Sequence, residues 1–136
     1  MKNPSPELNK LKIAILQNMS VCTNNTDDFR DTIRNCTKAV EIDAGATKAI
    51  YLRSVAHMKL GDLDEAMADI RTAIKLSPAD GNLRSQFEAI KKEKAGKAAK
   101  AKKGLAAFFA EGVYNEKDAV SVAQSYDALP EFKSEN

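Results

Sequence analysis

Residues 48–66, KAIYLRSVAHMKLGDLDEA, have the pattern of one helix halted at Gly61 and a second that begins at once. Sliding the chain along itself by 34 residues reproduces that pattern: Leu16 falls on Ile50, Val21 on Val55, Phe29 on Leu63, Ile33 on Met67, Cys36 on Ile70, Ala39 on Ala73, Val40 on Ile74 and Ile42 on Leu76. Apolar residues recur at helical spacing on both sides of each turn, so each unit is expected to be a pair of antiparallel helices. One such hairpin cannot bury its own apolar face. It must stack on a neighbour, and this requirement constrains the fold more than anything else in the chain.

The remaining composition narrows the class. With 136 residues, 43% apolar and 29% charged, the chain suits one globular domain. No run is long or apolar enough to span a bilayer, and the opening MKNPSPELNK has no apolar signal core, which suggests a cytosolic or nuclear protein. The Asn-X-Thr triplets at 24–26 and 35–37 then have no glycosylating context. Cys22 and Cys36 fall within amphipathic patterns and are expected to be buried, reduced thiols. His57 has no second ligand at metal-binding spacing, so neither a metal nor a cofactor is expected.

In the second unit, Ile50, Ala66, Ile70, Ala73 and Pro78 supply a large, a small, a large and a small apolar residue and then a helix-stopping proline. That order resembles the tetratricopeptide repeat family. The first unit is looser: Thr32 replaces the small Ala66, Ala44 replaces the proline, and NNTDD replaces the compact glycine turn, in which Asp62 is expected to cap the following helix. The resemblance implies an all-α fold of helix-turn-helix repeats, a right-handed solenoid, with hairpins over about 7–44 and 45–79. A basic capping helix over 81–110 and an acidic tail or linker over 111–136 would follow. The charge distribution matches this division, since residues 1–80 are neutral, 81–110 carry +6 and 111–136 carry −4. Asp80 or Asn82 is expected to cap the third segment, whose Leu83, Phe87 and Ile90 form an apolar stripe.

In such solenoids the first helix of each repeat lines a concave groove. Asn18 lies in the first of these helices and Lys48 in the next. The pair resembles part of the carboxylate clamp with which co-chaperones hold the C-terminal Glu-Glu-Val-Asp of heat-shock chaperones. The family commonly places an Arg four residues after the Lys, where this chain has Leu52; Arg53 follows it but is turned by about 100° on a helix. Arg53 can assist the clamp or pair with Asp69, and Tyr51 can pack with its hydroxyl at the rim. The resemblance assigns the other clamp residues, a Lys and an Asn, to a repeat preceding Met1. Two repeats and a cap are fewer than the three usually needed, so either that repeat or a second copy of the chain is expected to cover the first hairpin.

The second repeat, with ADIRTAIKLSPADGNLRSQFEAIKKEKAGKAAK and the later Phe108 and Phe109, is similar to the C-terminal module of large immunophilins, peptidyl-prolyl isomerases of the FK506-binding and cyclophilin types. The resemblance implies an adaptor without isomerase chemistry of its own, and a calmodulin site in the basic segment, with Leu83, Phe87, Ile90, Leu105 and Phe108 as anchors among its lysines. Against the calmodulin site, the lysine-rich middle lacks large apolar groups, as a solvated capping helix would. Nucleic acid is not supported, because the lysines have no interleaved aromatics.

Overall fold

The computed structural model describes residues 5–110. Five helices follow in order: α1 (Pro6–Asn25), α2 (Phe29–Ile42), α3 (Thr47–Leu60), α4 (Leu63–Leu76) and α5 (Gly81–Ala110), with no strand among the described residues. The first compact unit, Met1–Lys94, holds both hairpins and the start of α5. Of the second unit, Ala95–Asn136, only the remainder of α5 is described. The acidic segment at 111–136 lies outside the described residues.

α2 and α4 obey the 34-residue offset at both ends, Phe29 to Leu63 and Ile42 to Leu76. The turns between helices obey it atom for atom. After α3, the Asp62 amide donates to the His57 carbonyl at 2.9 Å and the Gly61 amide to Met58 at 3.0 Å, with Gly61 left-handed at φ 88°. After α1, the Asp28 amide donates to Thr23 at 2.8 Å and the Asp27 amide to Asn24 at 3.3 Å, and Asp27 takes the left-handed place at φ 61°. Both are the bond pair that closes a helix through one left-handed residue. The NNTDD segment therefore keeps the turn geometry and bears the strain that glycine avoids.

Ser5 caps α1 by accepting from the Leu8 amide at 3.2 Å, with Pro6 in the first turn, where its missing N–H costs nothing. Asp28 caps α2 through the Asp31 amide at 3.4 Å. Asp62 makes no such bond, contrary to the sequence expectation; its carboxylate stands 3.8 Å from His57 Nδ1 instead. Asp80 accepts from the Asn82 amide at 2.9 Å at the start of α5.

The core is built in two clusters joined by Val40 and Tyr51. One sets Cys36 and Ala39 of α2 against Ala46, Ala49 and Leu52, which binds the first hairpin to the second. The other sets Ile50, Ala66, Met67, Ile70 and Ala73 against Leu83 and Ile90 of α5. By the offset Leu83 corresponds to Ala49 and Ile90 to Ala56, so the first turns of α5 cover hairpin two as α3 covers hairpin one. Farther along, Lys94 bonds Asp64 at 2.7 Å, and that bond lowers the pKa of the Asp64 carboxyl.

Small and hydroxylated residues fill the close crossings. Ser20 and Ser54, one offset apart, are both fully buried and bond backward to the carbonyls of Leu16 and Tyr51, each at 2.7 Å. Thr32 fits the fully buried site that Ala66 fills in the second hairpin because its hydroxyl meets Thr23 Oγ1 at 2.6 Å and Asp28 O at 3.2 Å. Cys36 is buried and donates to Ser20 Oγ at 3.2 Å, and burial raises its thiol pKa. Cys22 is exposed, which corrects the expectation that both thiols are buried. Its counterpart in the second repeat, Ala56, is covered completely, whereas no described residue stacks on that side of α1.

Candidate peptide-binding groove

α1 and α3 are the first helices of their hairpins, and two shallow hollows flank α3, one on its side toward α1 and the other on its side toward the start of α5. One, of about 300 Å³, is lined by Val21, Asn24, Asn25, Asp27 and Phe29 from the first hairpin and by Tyr51, Leu52, Val55 and Lys59 from α3. The other, of about 410 Å³, is lined by Thr47, Lys48, Tyr51 and Leu52 together with Ser77, Asp80, Asn82 and Leu83. Tyr51 and Leu52 belong to both, so the two hollows form one trough along α3.

Asn18 lines neither hollow, and the offset relates it to a residue that lines both. Asn18 is the counterpart of Leu52, Val21 of Val55 and Asn25 of Lys59, and each of these partners lines a hollow. Asn18 and Lys48 are both exposed, so an amide donor and an ammonium group are presented to solvent on successive first helices, Lys48 within a hollow. Tyr51 is half-buried. Leu52 is only 9% exposed and forms floor, where a clamp of the family's usual kind would carry a cation.

Arg53 faces away from the trough. Its Nε donates to Asp69 Oδ2 at 2.8 Å and one terminal nitrogen to Oδ1 at 2.7 Å, while the other reaches Thr37 Oγ1 at 3.2 Å. The pair is mostly buried, and the bond to Asp69 raises the guanidinium pKa above its ordinary value. Arg53 thus ties α3 to α4 and, through Thr37, to α2. Of the two uses legible in the sequence, pairing with Asp69 is the one the fold adopts.

The basic helix offers less than its sequence suggests. Leu83 and Ile90 are core residues, at 1% and 0% exposure, and Phe87 packs against the same cluster. Leu105 and Phe108 are exposed. The five anchors are therefore not one exposed face, and a partner using all of them must strip two from the core at a cost of about 1.5–3 kcal/mol each.

Sequence reasoning missed Asn24, Asn25, Val55 and Lys59. The signal was available, because Lys59 lies 11 residues after Lys48, which returns it to the same face of the helix. Among the described residues no three or more His, Cys, Asp or Glu side chains come together to hold a metal ion, and no helix is long and apolar enough to cross a membrane.

Residues 47–80 match the family profile described as tetratricopeptide repeat. The chain carries a tetratricopeptide repeat. It is 31% identical over 77 residues to the peptidyl-prolyl cis-trans isomerase FKBP4 of Bos taurus, a match covering 57% of this chain and 17% of that protein. The chain thus spans about a sixth of the length of this relative. Its fold is similar to the C-terminal TPR-containing domain of an FK506-binding protein of Plasmodium falciparum, with a TM-score of 0.61 and 29% identity over 68% of this chain and 60% of that one. It is also similar to the second TPR domain of human RPAP3, solved in complex with the HSP70 peptide SGPTIEEVD, with a TM-score of 0.56 and 25% identity over 58% of this chain and 66% of that one. The described residues are an all-α tetratricopeptide stack with a long C-terminal helix, a protein-interaction fold of the kind found at the C-terminus of large immunophilins.

Proposed function

We propose that the trough along α3 binds the acidic C-terminal peptide of a heat-shock chaperone, and that the chain acts as the adaptor of an immunophilin-like co-chaperone. The observation that carries this reading is the exposed Lys48 in a hollow floored by Tyr51 and Leu52, with Asn18 exposed one repeat earlier at the position equivalent to Leu52. A terminal carboxylate needs donors that carry charge, and an ammonium with an amide beside it supplies them. The HSP70 peptide held by the RPAP3 domain ends in Glu-Glu-Val-Asp, the same ligand chemistry. In this reading the isomerase chemistry for which the bovine relative is named belongs to a segment outside the matched 77 residues.

Titration of a labelled peptide ending in Glu-Glu-Val-Asp tests it. The expected result is a saturable complex that weakens as salt rises and loses about tenfold in affinity in Lys48→Ala, the loss of one charge-assisted hydrogen bond. Equal affinity in wild type and variant, or binding by neither, contradicts the clamp.

A second reading rests on the outer side of α1, where Leu8, Leu11, Ile15 and Met19 are 44–57% exposed in one stripe at helical spacing. Here a second copy of the chain covers the stripe and the module serves assembly. A concentration-dependent dimer abolished by Ile15→Lys supports it, and a strict monomer at high concentration rules it out. Calcium-dependent calmodulin binding through α5 retains only Leu105 and Phe108 as exposed anchors and is the reading the geometry favours least.

A further inference from the structure

Lys48, Leu52, Val55 and Lys59 follow one another along α3 at steps of four, three and four residues, and all four line the trough. Eleven residues return a helix to within about 20° of its starting direction and advance it by about 16 Å. Both lysines are exposed, Lys48 in the hollow with Ser77, Asn82 and Asp80, whose carboxylate accepts from the Asn82 amide, and Lys59 in the hollow with Asn24 and Asn25, and the apolar floor lies between them. The cation missing at position 52 has thus a counterpart two turns farther along the same face.

We infer that Lys59 is the second cation of the peptide site and sets the spacing of the peptides it accepts: a terminal carboxylate at Lys48 and Asn18, apolar side chains over Leu52 and Val55, and an acidic side chain at Lys59. This rests on the peptide-binding reading above. An extended chain advances about 3.3 Å per residue, so a span of about 16 Å corresponds to an acidic residue about five positions before the terminus. Asp27 lines the hollow that holds Lys59 and carries the opposite charge. It opposes an acidic ligand there, so removing its charge strengthens binding.

The test uses the full chain and synthetic peptides with a free C-terminal carboxylate, each with a single Glu placed two to eight positions upstream in an otherwise uncharged sequence. Dissociation constants are read by fluorescence anisotropy for wild type, Lys48→Ala, Lys59→Ala and Asp27→Asn. Lys59 is exposed and Asn tolerates a left-handed backbone, so these variants keep the fold, which their circular dichroism checks. The expected result is tightest binding near position five, a loss of about tenfold for that peptide in Lys59→Ala with the positional preference flattened, and a two- to threefold gain in Asp27→Asn. An unchanged positional preference in Lys59→Ala, with binding still lost in Lys48→Ala, overturns the spacing role and leaves the peptide site standing. Failure of wild type to bind any of these peptides while it binds one ending in Glu-Glu-Val-Asp overturns the spacing role alone, and failure to bind either kind overturns both.

Discussion

The two hairpins share a backbone and differ in what lies next to them. At equivalent positions the second repeat has Ala49, Arg53 and Ala56, and the first has Ile15, Met19 and Cys22. Ala49 and Ala56 are fully buried and Arg53 is bonded to Asp69, whereas Ile15 and Met19 are about half exposed and Cys22 is open to solvent. The polarity of a residue in a stacked array therefore does not decide its burial. Its neighbour does, and the second hairpin has one on both sides, in α2 and in the start of α5.

The sharpest contrast lies at the centre of the second helices, Ile70 against Cys36, both at 0% exposure. Ile70→Ala removes three methyl or methylene groups from the main cluster and is expected to cost about 3 kcal/mol, while Cys36→Ala should cost about 1 kcal/mol. Urea midpoints of the two variants measure this; equal costs would show that the clusters are not the unequal pair described. Next comes the buried ion pair. Asp69→Ala leaves Arg53 without its partner and is expected to destabilise by about 2–3 kcal/mol, whereas Asn35→Ala at the equivalent place in the first hairpin, where no guanidinium is present, should cost about half as much or less.

The turns provide a comparison of intermediate size. Gly61→Ala places a Cβ at a left-handed residue and is expected to cost about 1–2 kcal/mol, while Asp27→Gly relieves that strain and should stabilise by up to about 1 kcal/mol. Opposite signs in thermal melts are the expected outcome, and a shared sign would contradict equivalence of the two turns. The mildest probe is thiol accessibility. A disulfide reagent at pH 8 is expected to label Cys22 within the mixing phase and Cys36 only at the rate of opening, because burial both covers the Cys36 thiol and raises its pKa. Two thiols labelled at one rate would mean that the first hairpin is not packed as described.

The sequence made the repeat legible because period, small-residue positions and turn signals all agreed. The helix pairs, the capping stripe of Leu83, Phe87 and Ile90 and the small residues at the crossings could be read before any coordinates. Two features could not. Asp62 has the right identity and place for a helix cap, yet its carboxylate bonds no helix amide and stands 3.8 Å from His57 Nδ1, a side-chain placement that the local pattern does not encode. Cys22 satisfies the same helical periodicity as Ala56, and periodicity shows which face is apolar without showing whether anything covers it. Lys59, by contrast, was legible, because 11 residues carry the helix back to the face of Lys48. The separation of Arg53 from the groove was partly legible: a one-residue step turns it about 100° from Leu52, and Asp69 lay within reach on the following helix.

The groove is the claim on which the functional reading depends, and amide chemical shifts test it most directly. On adding an acidic C-terminal peptide to the labelled protein, the account predicts that the largest shifts fall on Asn18 to Asn25 in α1 and Lys48 to Lys59 in α3, with α2 and the outer face of α4 nearly unmoved. Shifts concentrated on α4 or the lysines of α5, with α1 and α3 silent, would contradict it.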